Sequence, residues 1–333
     1  MREKIIKFFK ENWKFIIFLV CFYAIMSHDF PYVIYTPGGA INMSDRVSGD
    51  NLYDEEGSLS MTYVSMVRGR IPFLLLSLIM PEWDIAKDDE VTYDNMTYEE
   101  SFNVDKIYME EAISNAQIVA YESAGVSYNI KSIKKIITNI VDDTKNDLKI
   151  GDDILSIDGH DFEDIKSLQD YIGSKNVGDK VNVRYKRDDK EYTTDAILFD
   201  INGAVKVGIS IAFINEYDTP YNIEIKTKSS EAGPSGGLIT ALAIYNQITE
   251  DDITNGMKIM GTGTISKDGT VGKIGGVKYK LIGAYKKGAD VFICPKENYE
   301  EALSVKNEHN YDIELISAEN IEDAIDKLKE LAY

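Results

Sequence analysis

The chain has 333 residues, of which 44% are hydrophobic and 11% aromatic, so it can form roughly two or three folded domains, and disorder throughout is excluded. A formal net charge of −20 without a basic stripe excludes nucleic acid as a partner, because the chain would repel phosphates. The two cysteines, Cys21 and Cys294, and the three histidines are scattered, which predicts no disulfide framework, no metal site and no cofactor.

The N-terminal segment reverses the charge of the rest of the chain. Residues 1–14 hold five basic and two acidic residues, and the following run, Phe15–Met26, carries no charge. As a helix this run rises only about 18 Å, less than the ~30 Å of a bilayer core. The predicted membrane anchor therefore extends over residues 15–35 and includes Phe30–Tyr35. The charge pattern places the N-terminus in the cytoplasm and the bulk outside, and a cleaved signal peptide is the alternative interpretation.

Residues 36–125 are predicted to form an extracytoplasmic linking region. Within it, Ile71–Met80 is apolar but too short to cross a bilayer, which predicts a core or interface helix. The spacing of apolar residues between Tyr108 and Tyr121 indicates a second helix in this region.

Residues 126–199 have the pattern of a small β-rich domain. Lys135–Val141 predicts a strand, and Leu148–Gly159 reads L-x-x-G-D-x-I-x-x-I-D-G before a predicted helix at 164–172 and a closing hairpin. This order resembles PDZ domains, in which a groove between a strand and the helix binds an extended peptide. The carboxylate-binding loop of many PDZ domains is absent before Lys135. A β-rich spacer is the alternative interpretation.

Residues 200–333 alternate predicted strands and helices, which is typical of an α/β domain. The strands are predicted at Val205–Phe213, Tyr221–Lys226, Met257–Ile265 and Val291–Cys294, and the helices at Gly237–Gln247, Val277–Lys287 and Ile321–Leu331. Twelve of the 24 glycines fall between Gly233 and Gly288. Because so many glycines imply tight turns and close backbone contacts, this region is favoured as the functional site.

The first candidate for chemistry is Ser235, in the sequence GPSGG at Gly233–Gly237. This G-x-S-x-G spacing is typical of a nucleophilic serine on a turn before a helix. N–H groups around Gly233 and Gly236 could stabilise an oxyanion at the N-terminus of that helix. The alternative is that Ser235 only caps the helix, which is the more common role for such a serine.

A nucleophilic serine needs a base, and the histidines do not supply one. In the order of an α/β-hydrolase only His309 could serve, but it lies in a polar stretch and is predicted to be solvated. A lysine can act as the base if burial lowers its pKa. The helix after Gly276 carries Lys278 and Lys280 on opposite edges of its apolar face, and periodicity does not choose between them.

The stretch Glu231–Tyr285 resembles the proteolytic domain of Lon-type serine peptidases, which use a serine–lysine dyad. Their serine motif, an acidic residue followed by G-P-S-A-G, corresponds to Ala232–Gly237, and their lysine motif corresponds to Thr262–Lys280. The resemblance implies that Lys280 is the general base and that Thr262 hydrogen-bonds its amine.

The sequence departs from that pattern at several positions. Ala232 replaces the acidic residue, Gly236 replaces the alanine after the serine, and the upstream histidines of the family are absent from residues 221–225. The chain also lacks the sequence G-x-x-x-x-G-K followed by Ser or Thr, so the ATPase of Lon proteases is not predicted.

Taken together, the segments resemble the membrane-anchored PDZ–Lon serine peptidases of Gram-positive bacteria, a family that includes a streptococcal protease for an extracellular competence peptide. The resemblance implies an α+β multidomain fold with a transmembrane helix, a PDZ-like domain (126–199) and a Lon-type proteolytic α/β domain (200–333). It implies ATP-independent cleavage of exported or surface peptides and proteins. The oligomeric state is left open, a homo-oligomer included. The alternatives are a catalytically silent PDZ adaptor and an enzyme for autoprocessing or peptidase-chaperone duty.

Overall fold

The computed structural model describes residues 2–141 and 146–331. In these ranges the α-helices are α1 (Arg2–Met26), α2 (Ile71–Ser77), α3 (Asp88–Val91), α4 (Tyr98–Ser123), α5 (Ile165–Gly173), α6 (Gly237–Ile248), α7 (Val277–Lys286), α8 (Tyr299–His309) and α9 (Ile321–Glu330). The first strands are β1 (Phe30–Asn42), β2 (Val47–Ser48), β3 (Ser58–Gly69), β4 (Asp84–Lys87), β5 (Asn129–Ile140), β6 (Asp153–Ile157), β7 (Lys180–Arg187) and β8 (Lys190–Ile197). The remaining strands are β9 (Phe199–Ile201), β10 (Ala204–Lys206), β11 (Ile209–Asp218), β12 (Glu224–Ile225), β13 (Lys258–Gly261), β14 (Thr264–Ile265), β15 (Val271–Gly272), β16 (Val291–Pro295) and β17 (Glu314–Ala318).

The largest sheet has six strands in the order β17-β16-β13-β3-β1-β4. The four strands from β17 to β3 are parallel, whereas β1 pairs antiparallel with both β3 and β4. Helix α6 lies in the apolar core against this sheet, and all twelve of its residues are buried. A helix that is apolar all round is stable only inside a protein, so α6 fixes the centre of the fold.

The region 36–125 contributes directly to this sheet, which corrects its prediction as a linking region. Strand β3 pairs with β13 so that Met61 lies opposite Gly261. Phe30–Tyr35, which the sequence analysis assigned to the membrane anchor, is the first half of β1, and Val33 and Ile34 are fully buried. The boundary of the anchor at residue 35 is therefore wrong, because these apolar side chains pack inside the protein.

The N-terminal helix α1 ends before β1 and exposes many apolar side chains, Phe18 and Tyr23 among them. Within the residues that the structure describes, no helix has both the length and the apolar character that a bilayer crossing requires. Helix α2 has no buried residue, and Leu78 and Ile79 after it are 75% and 73% exposed. The predicted helix is present at Ile71–Ser77, but its core alternative is wrong because no residue of it is buried, and the interface alternative stays a prediction.

A second sheet has five antiparallel strands in the order β11-β5-β6-β7-β8. Helix α5 covers its apolar face through Leu168 and Ile172. The predicted strand at Val205–Phe213 is divided between β10 and β11. Because β11 pairs with β5, the PDZ-like sheet takes its edge strand from beyond residue 199, where the domain was predicted to end.

Helix α4 connects the two sheets. Its Glu111 side chain accepts a hydrogen bond from the N–H of Phe213 at 2.9 Å, and its Ser114 hydroxyl accepts one from the N–H of Asn215 at 2.9 Å. Both N–H groups belong to the outer edge of β11. Other residues of α4 face the serine-containing turn, so one helix contacts both the PDZ-like sheet and the candidate site.

Candidate active site

Ser235 lies in a single 3-10 turn, Pro234–Gly236, that leads directly into α6. Gly233 begins the turn with φ at 98°, a left-handed conformation that favours glycine, and Pro234 supplies a φ that suits a first helical position. The carbonyl oxygen of Ser235 accepts hydrogen bonds from the Gly263 N–H at 2.8 Å and the Thr262 hydroxyl at 2.9 Å. The turn is therefore held against the segment that follows β13.

Lys280 reaches the same place from helix α7. Its side chain is only 3% exposed, and its Nζ lies 2.8 Å from Ser235 Oγ and 2.9 Å from Thr262 Oγ1. The structure thus brings together Ser235, Lys280 and Thr262, the three residues that the Lon resemblance selects. Lys278, the alternative, points away and pairs with Asp84 at 2.6 Å.

The hydrogen bonds of Thr262 determine how Lys280 is oriented. Thr262 is fully buried, and its hydroxyl proton is donated to the Ser235 carbonyl oxygen. Because a hydroxyl has one proton, Thr262 Oγ1 can only accept from the Lys280 amine. A neutral amine that donates one proton to Thr262 keeps its lone pair for Ser235 Oγ.

Burial also makes the neutral form of Lys280 accessible. Desolvation lowers the pKa of its amine from 10.5 to about 7, because the charged form loses water and no carboxylate compensates. At pH 7 about half of such amines are neutral, against roughly one in 3,000 for an amine with an ordinary pKa. The site can therefore supply a base near neutral pH.

The candidate oxyanion donors differ from the sequence expectation. The N–H of Gly233 donates to the carbonyl oxygen of Asp105 at 2.9 Å, so it is not available to a substrate. Pro234 has no N–H, and the N–H of Gly237 donates to the Pro234 carbonyl oxygen. Gly233 thus supports the turn instead of supplying a donor, and the N–H groups of Ser235 and Gly236 are left as the candidates.

The structure explains why position 236, directly after Ser235, holds glycine and not the alanine of the Lon-type motif. A Cβ atom on Gly236 would lie 1.9 Å from the Sδ of Met61, which is far inside contact distance. Met61 comes from β3 and packs on the main core beside the turn. An alanine at position 236 would therefore displace the Met61 side chain.

A cleft of about 950 Å³ opens beside Ser235. Its apolar wall combines side chains from β3 and α4, namely Met61, Met66, Phe102, Met109 and Ile113. Charged residues line another part of the cleft, namely Arg46, Asp105, Lys226, Lys228 and Glu231. A concave site with an apolar wall and a few polar groups has the form of a ligand-binding site.

Most of this cleft is formed by residues that carry no recognisable signal in the sequence. Met61, Asp105 and Arg46 lie 130 or more residues before Ser235, and no local motif marks them. All three histidines lie against other rings: His309 stacks on Tyr311, His160 lies against Tyr171, and His28 meets Phe30 edge to face. Within residues 2–141 and 146–331, no hydrogen bond joins a histidine to Ser235.

Two parts of the chain match known families. Residues 206–330 match the Lon protease (S16) C-terminal proteolytic domain, and residues 123–198 match the PDZ domain. Ser235, Thr262 and Lys280 all lie within the segment that matches the Lon proteolytic domain.

Individual proteins show the same similarity. The chain is 31% identical to the Lon protease of Syntrophus aciditrophicus over 109 residues, 33% of this chain and 13% of that protein. It is 23% identical to the Lon protease of Clostridium acetobutylicum over 278 residues, 69% of this chain and 35% of that protein. The PDZ domain of an SdrC-like protein from Listeria monocytogenes is 33% identical, with a TM-score of 0.24, and covers 25% of this chain and 92% of that domain. The chain spans about a third or less of the length of these Lon proteases.

Proposed function

We propose that this chain is an ATP-independent serine endopeptidase in which Ser235 is the nucleophile and Lys280 the general base. The single observation that carries the proposal is the 2.8 Å contact between Lys280 Nζ and Ser235 Oγ in a buried setting. A helix cap would explain a serine at this turn, but it would not explain a desolvated lysine directed at its hydroxyl.

In the first step, the neutral amine of Lys280 accepts the proton of Ser235 Oγ, and the oxygen attacks the carbonyl carbon of the peptide. Thr262 keeps the lone pair of the amine on the serine side. The carbonyl oxygen becomes an oxyanion, which the N–H groups of Ser235 and Gly236 stabilise together with the N-terminal end of α6.

In the second step, the protonated Lys280 gives its proton to the leaving amine, and the peptide bond breaks to leave an acyl group on Ser235. A water molecule then gives a proton to the neutral lysine and attacks the ester carbonyl carbon. When the resulting intermediate collapses, the bond to Ser235 Oγ breaks, Lys280 returns the proton to that oxygen, and the second product leaves as a carboxylic acid. One residue thus serves as base and acid in both half-reactions.

We also propose a location and a substrate class for the reaction. The 333 residues contain no ATP-binding P-loop sequence, so substrates are expected to be short or already unfolded. Basic residues before the apolar run 15–26 and an acidic remainder support an N-terminal membrane anchor with the catalytic part outside the cell. We propose that exported or surface peptides and proteins are the substrates, and that the PDZ-like domain binds extended segments of them.

The test combines peptide cleavage with labelling by a serine-reactive acylating probe. The wild-type chain is expected to cleave an unfolded model protein and to be labelled at Ser235, and Ser235→Ala and Lys280→Met are expected to lose both activities. His309→Ala is the control and should behave as wild type. Normal cleavage by Ser235→Ala would overturn the proposal, and peptide binding without cleavage or labelling would favour the silent adaptor.

A further inference from the structure

The segment that leads into the catalytic turn is held by one ion pair. Residues 226–233, here called the approach loop, run from the end of β12 to Pro234 and line the cleft at Lys226, Lys228 and Glu231. The position of Ser235 therefore depends on this loop on its upstream side. On the downstream side, the Ser235 carbonyl oxygen is already held by Thr262 and Gly263.

Arg46 contacts the approach loop at two places. It follows the 3-10 turn Met43–Asp45 at the end of β1, and its guanidinium donates to the Lys226 carbonyl oxygen at 3.0 Å and to Glu231 Oε1 at 2.5 Å. Its own carbonyl oxygen accepts the N–H of Lys226 at 2.9 Å. The planar guanidinium can make two directed bonds at once, which a lysine amine at this position would not reproduce.

Glu231 completes the arrangement from within the loop. Its second carboxylate oxygen accepts the N–H of Lys228 at 2.8 Å, and its own N–H donates to the Lys228 carbonyl oxygen at 2.9 Å. The carboxylate therefore closes a turn inside the loop while Arg46 attaches that turn to the body of the protein. The two side chains are only 12% and 19% exposed, so solvent and salt screen the pair less than an ordinary surface pair.

We propose that the Arg46–Glu231 ion pair is a positioning pair that sets the approach loop, and through it Ser235, for attack on the substrate carbonyl. The inference rests on the proposed peptidase function. In the described part of the chain, neither side chain hydrogen-bonds to Ser235 Oγ or Lys280 Nζ. The pair acts through Gly233, whose N–H donates to the Asp105 carbonyl oxygen two residues before the nucleophile. Loss of the pair leaves the dyad residues present but the nucleophile misplaced.

The experiment measures kcat and KM separately for Arg46→Met and Arg46→Lys in the full chain, with an unstructured fluorogenic peptide as substrate. Arg46→Met is expected to lower kcat by about 10- to 100-fold, because small displacements of a nucleophile have effects of this size, while KM stays within about twofold. The pH at half-maximal kcat is expected to stay where it is in the wild type, because Lys280 is untouched. The kcat of Arg46→Lys should lie between the kcat of the wild type and that of Arg46→Met.

Arg187→Met is the matched control. Arg187 makes a two-bond ion pair with the buried Asp152, with both distances 2.6 Å, but in the PDZ-like sheet far along the chain from the serine turn. Its loss should lower thermal stability and leave kcat on the short peptide unchanged. A comparable fall of kcat in Arg187→Met would show that general destabilisation causes the effect, and would overturn the positioning role.

Two further outcomes decide the proposal. Wild-type kcat in Arg46→Met, or a raised KM with unchanged kcat, contradicts positioning, since the second result means that the pair binds substrate directly. If Arg46→Met does not fold, the double variant Arg46→Glu/Glu231→Arg, which reverses the ion pair, is measured beside Glu231→Gln. A kcat of the double variant above that of folded Glu231→Gln supports the proposal. An equal or lower kcat contradicts it. Ser235→Ala separates the peptidase proposal from the positioning proposal. Its cleavage activity tests whether Ser235 is the nucleophile and does not depend on the role of the Arg46–Glu231 pair.

Discussion

The amine of Lys280 and the hydroxyl of Ser235 lie 2.8 Å apart, although 45 residues separate them in the sequence. They come from different helices, and Thr262 contacts both residues from the end of β13. The contact therefore depends on the packing of α6, α7 and the large sheet, and four of the five predictions below vary one part of this arrangement.

Replacing Lys280 should abolish cleavage and also stabilise the protein. Burial lowers the pKa of Lys280 to about 7, whereas the unfolded chain keeps a pKa near 10.5, so below pH 10.5 protonation favours the unfolded state. The resulting loss of folding stability grows as the pH falls from 10.5 to about 7 and is constant at lower pH. Lys280→Met should raise the free energy of unfolding by about 1–4 kcal/mol at pH 7, and by less at pH 9.5.

Chemical denaturation at the two pH values checks this prediction. Lys278→Met is the control, because Lys278 pairs with Asp84 at the surface and is not part of the dyad. If Lys280→Met were less stable than the wild type at pH 7, this would contradict the claim that burial of the Lys280 amine destabilises the folded protein.

Thr262 should matter for the rate constant more than for substrate binding. Thr262→Val removes the acceptor that orients the Lys280 amine, so kcat should fall by roughly 10- to 100-fold with little change in KM. Thr262→Ser keeps the hydroxyl and should retain most of the activity. Steady-state kinetics of the two variants give the answer, and equal activity of valine and serine at this position would argue against an orienting role.

Gly236 and Met61 should behave as a coupled pair. Gly236→Ala places a methyl group in the space of the Met61 Sδ atom and should push that side chain into the cleft, which lowers kcat/KM several-fold. Met61→Ala in the same chain frees the space and should restore part of the loss. A double-mutant cycle on kcat/KM measures the coupling, and strictly additive effects would show that the two positions do not interact.

Glu55 should make stability fall as the pH rises. Burial, with the charge of Asp252 nearby, raises the pKa of its carboxyl from 4.5 to about 7. The contribution of the protonated Glu55 carboxyl to the free energy of unfolding is fully present below pH 4.5 and is lost as the pH rises through about 7. The reason is that this carboxyl ionises at a lower pH in the unfolded chain than in the folded protein. Glu55→Gln should therefore raise the melting temperature at pH 8 but not at pH 4.5. Thermal unfolding at both values tests this, and the same shift at each pH would count against it.

The sequence was informative where the site is local. Ser235 and its turn occupy five consecutive residues, and the lysine helix follows two glycines, so both were predictable from short motifs. The strand β16 and the helices α5, α6 and α7 are predicted within two residues of their observed ends. In each of these cases the signal lies in neighbouring residues.

The sequence was not informative where distant segments pair. Nothing in the local pattern of β3 shows that it pairs with β13 about 200 positions later, so Met61 could not be placed in the cleft. An apolar run such as Phe30–Tyr35 has no periodicity that separates a membrane segment from a buried strand. Helix α8 was missed because only Ala302 and Val305 of its eleven residues are buried.

The most direct test of the central claim is the rate at which an acylating probe labels Ser235 as a function of pH. If neutral Lys280 is the base, the rate should rise about tenfold per pH unit below 7 and level off above it, with a midpoint near the pKa of about 7. In Lys280→Met this rise should vanish and labelling should be slow at every pH. An unchanged pH profile in Lys280→Met would contradict the claim that Lys280 activates Ser235.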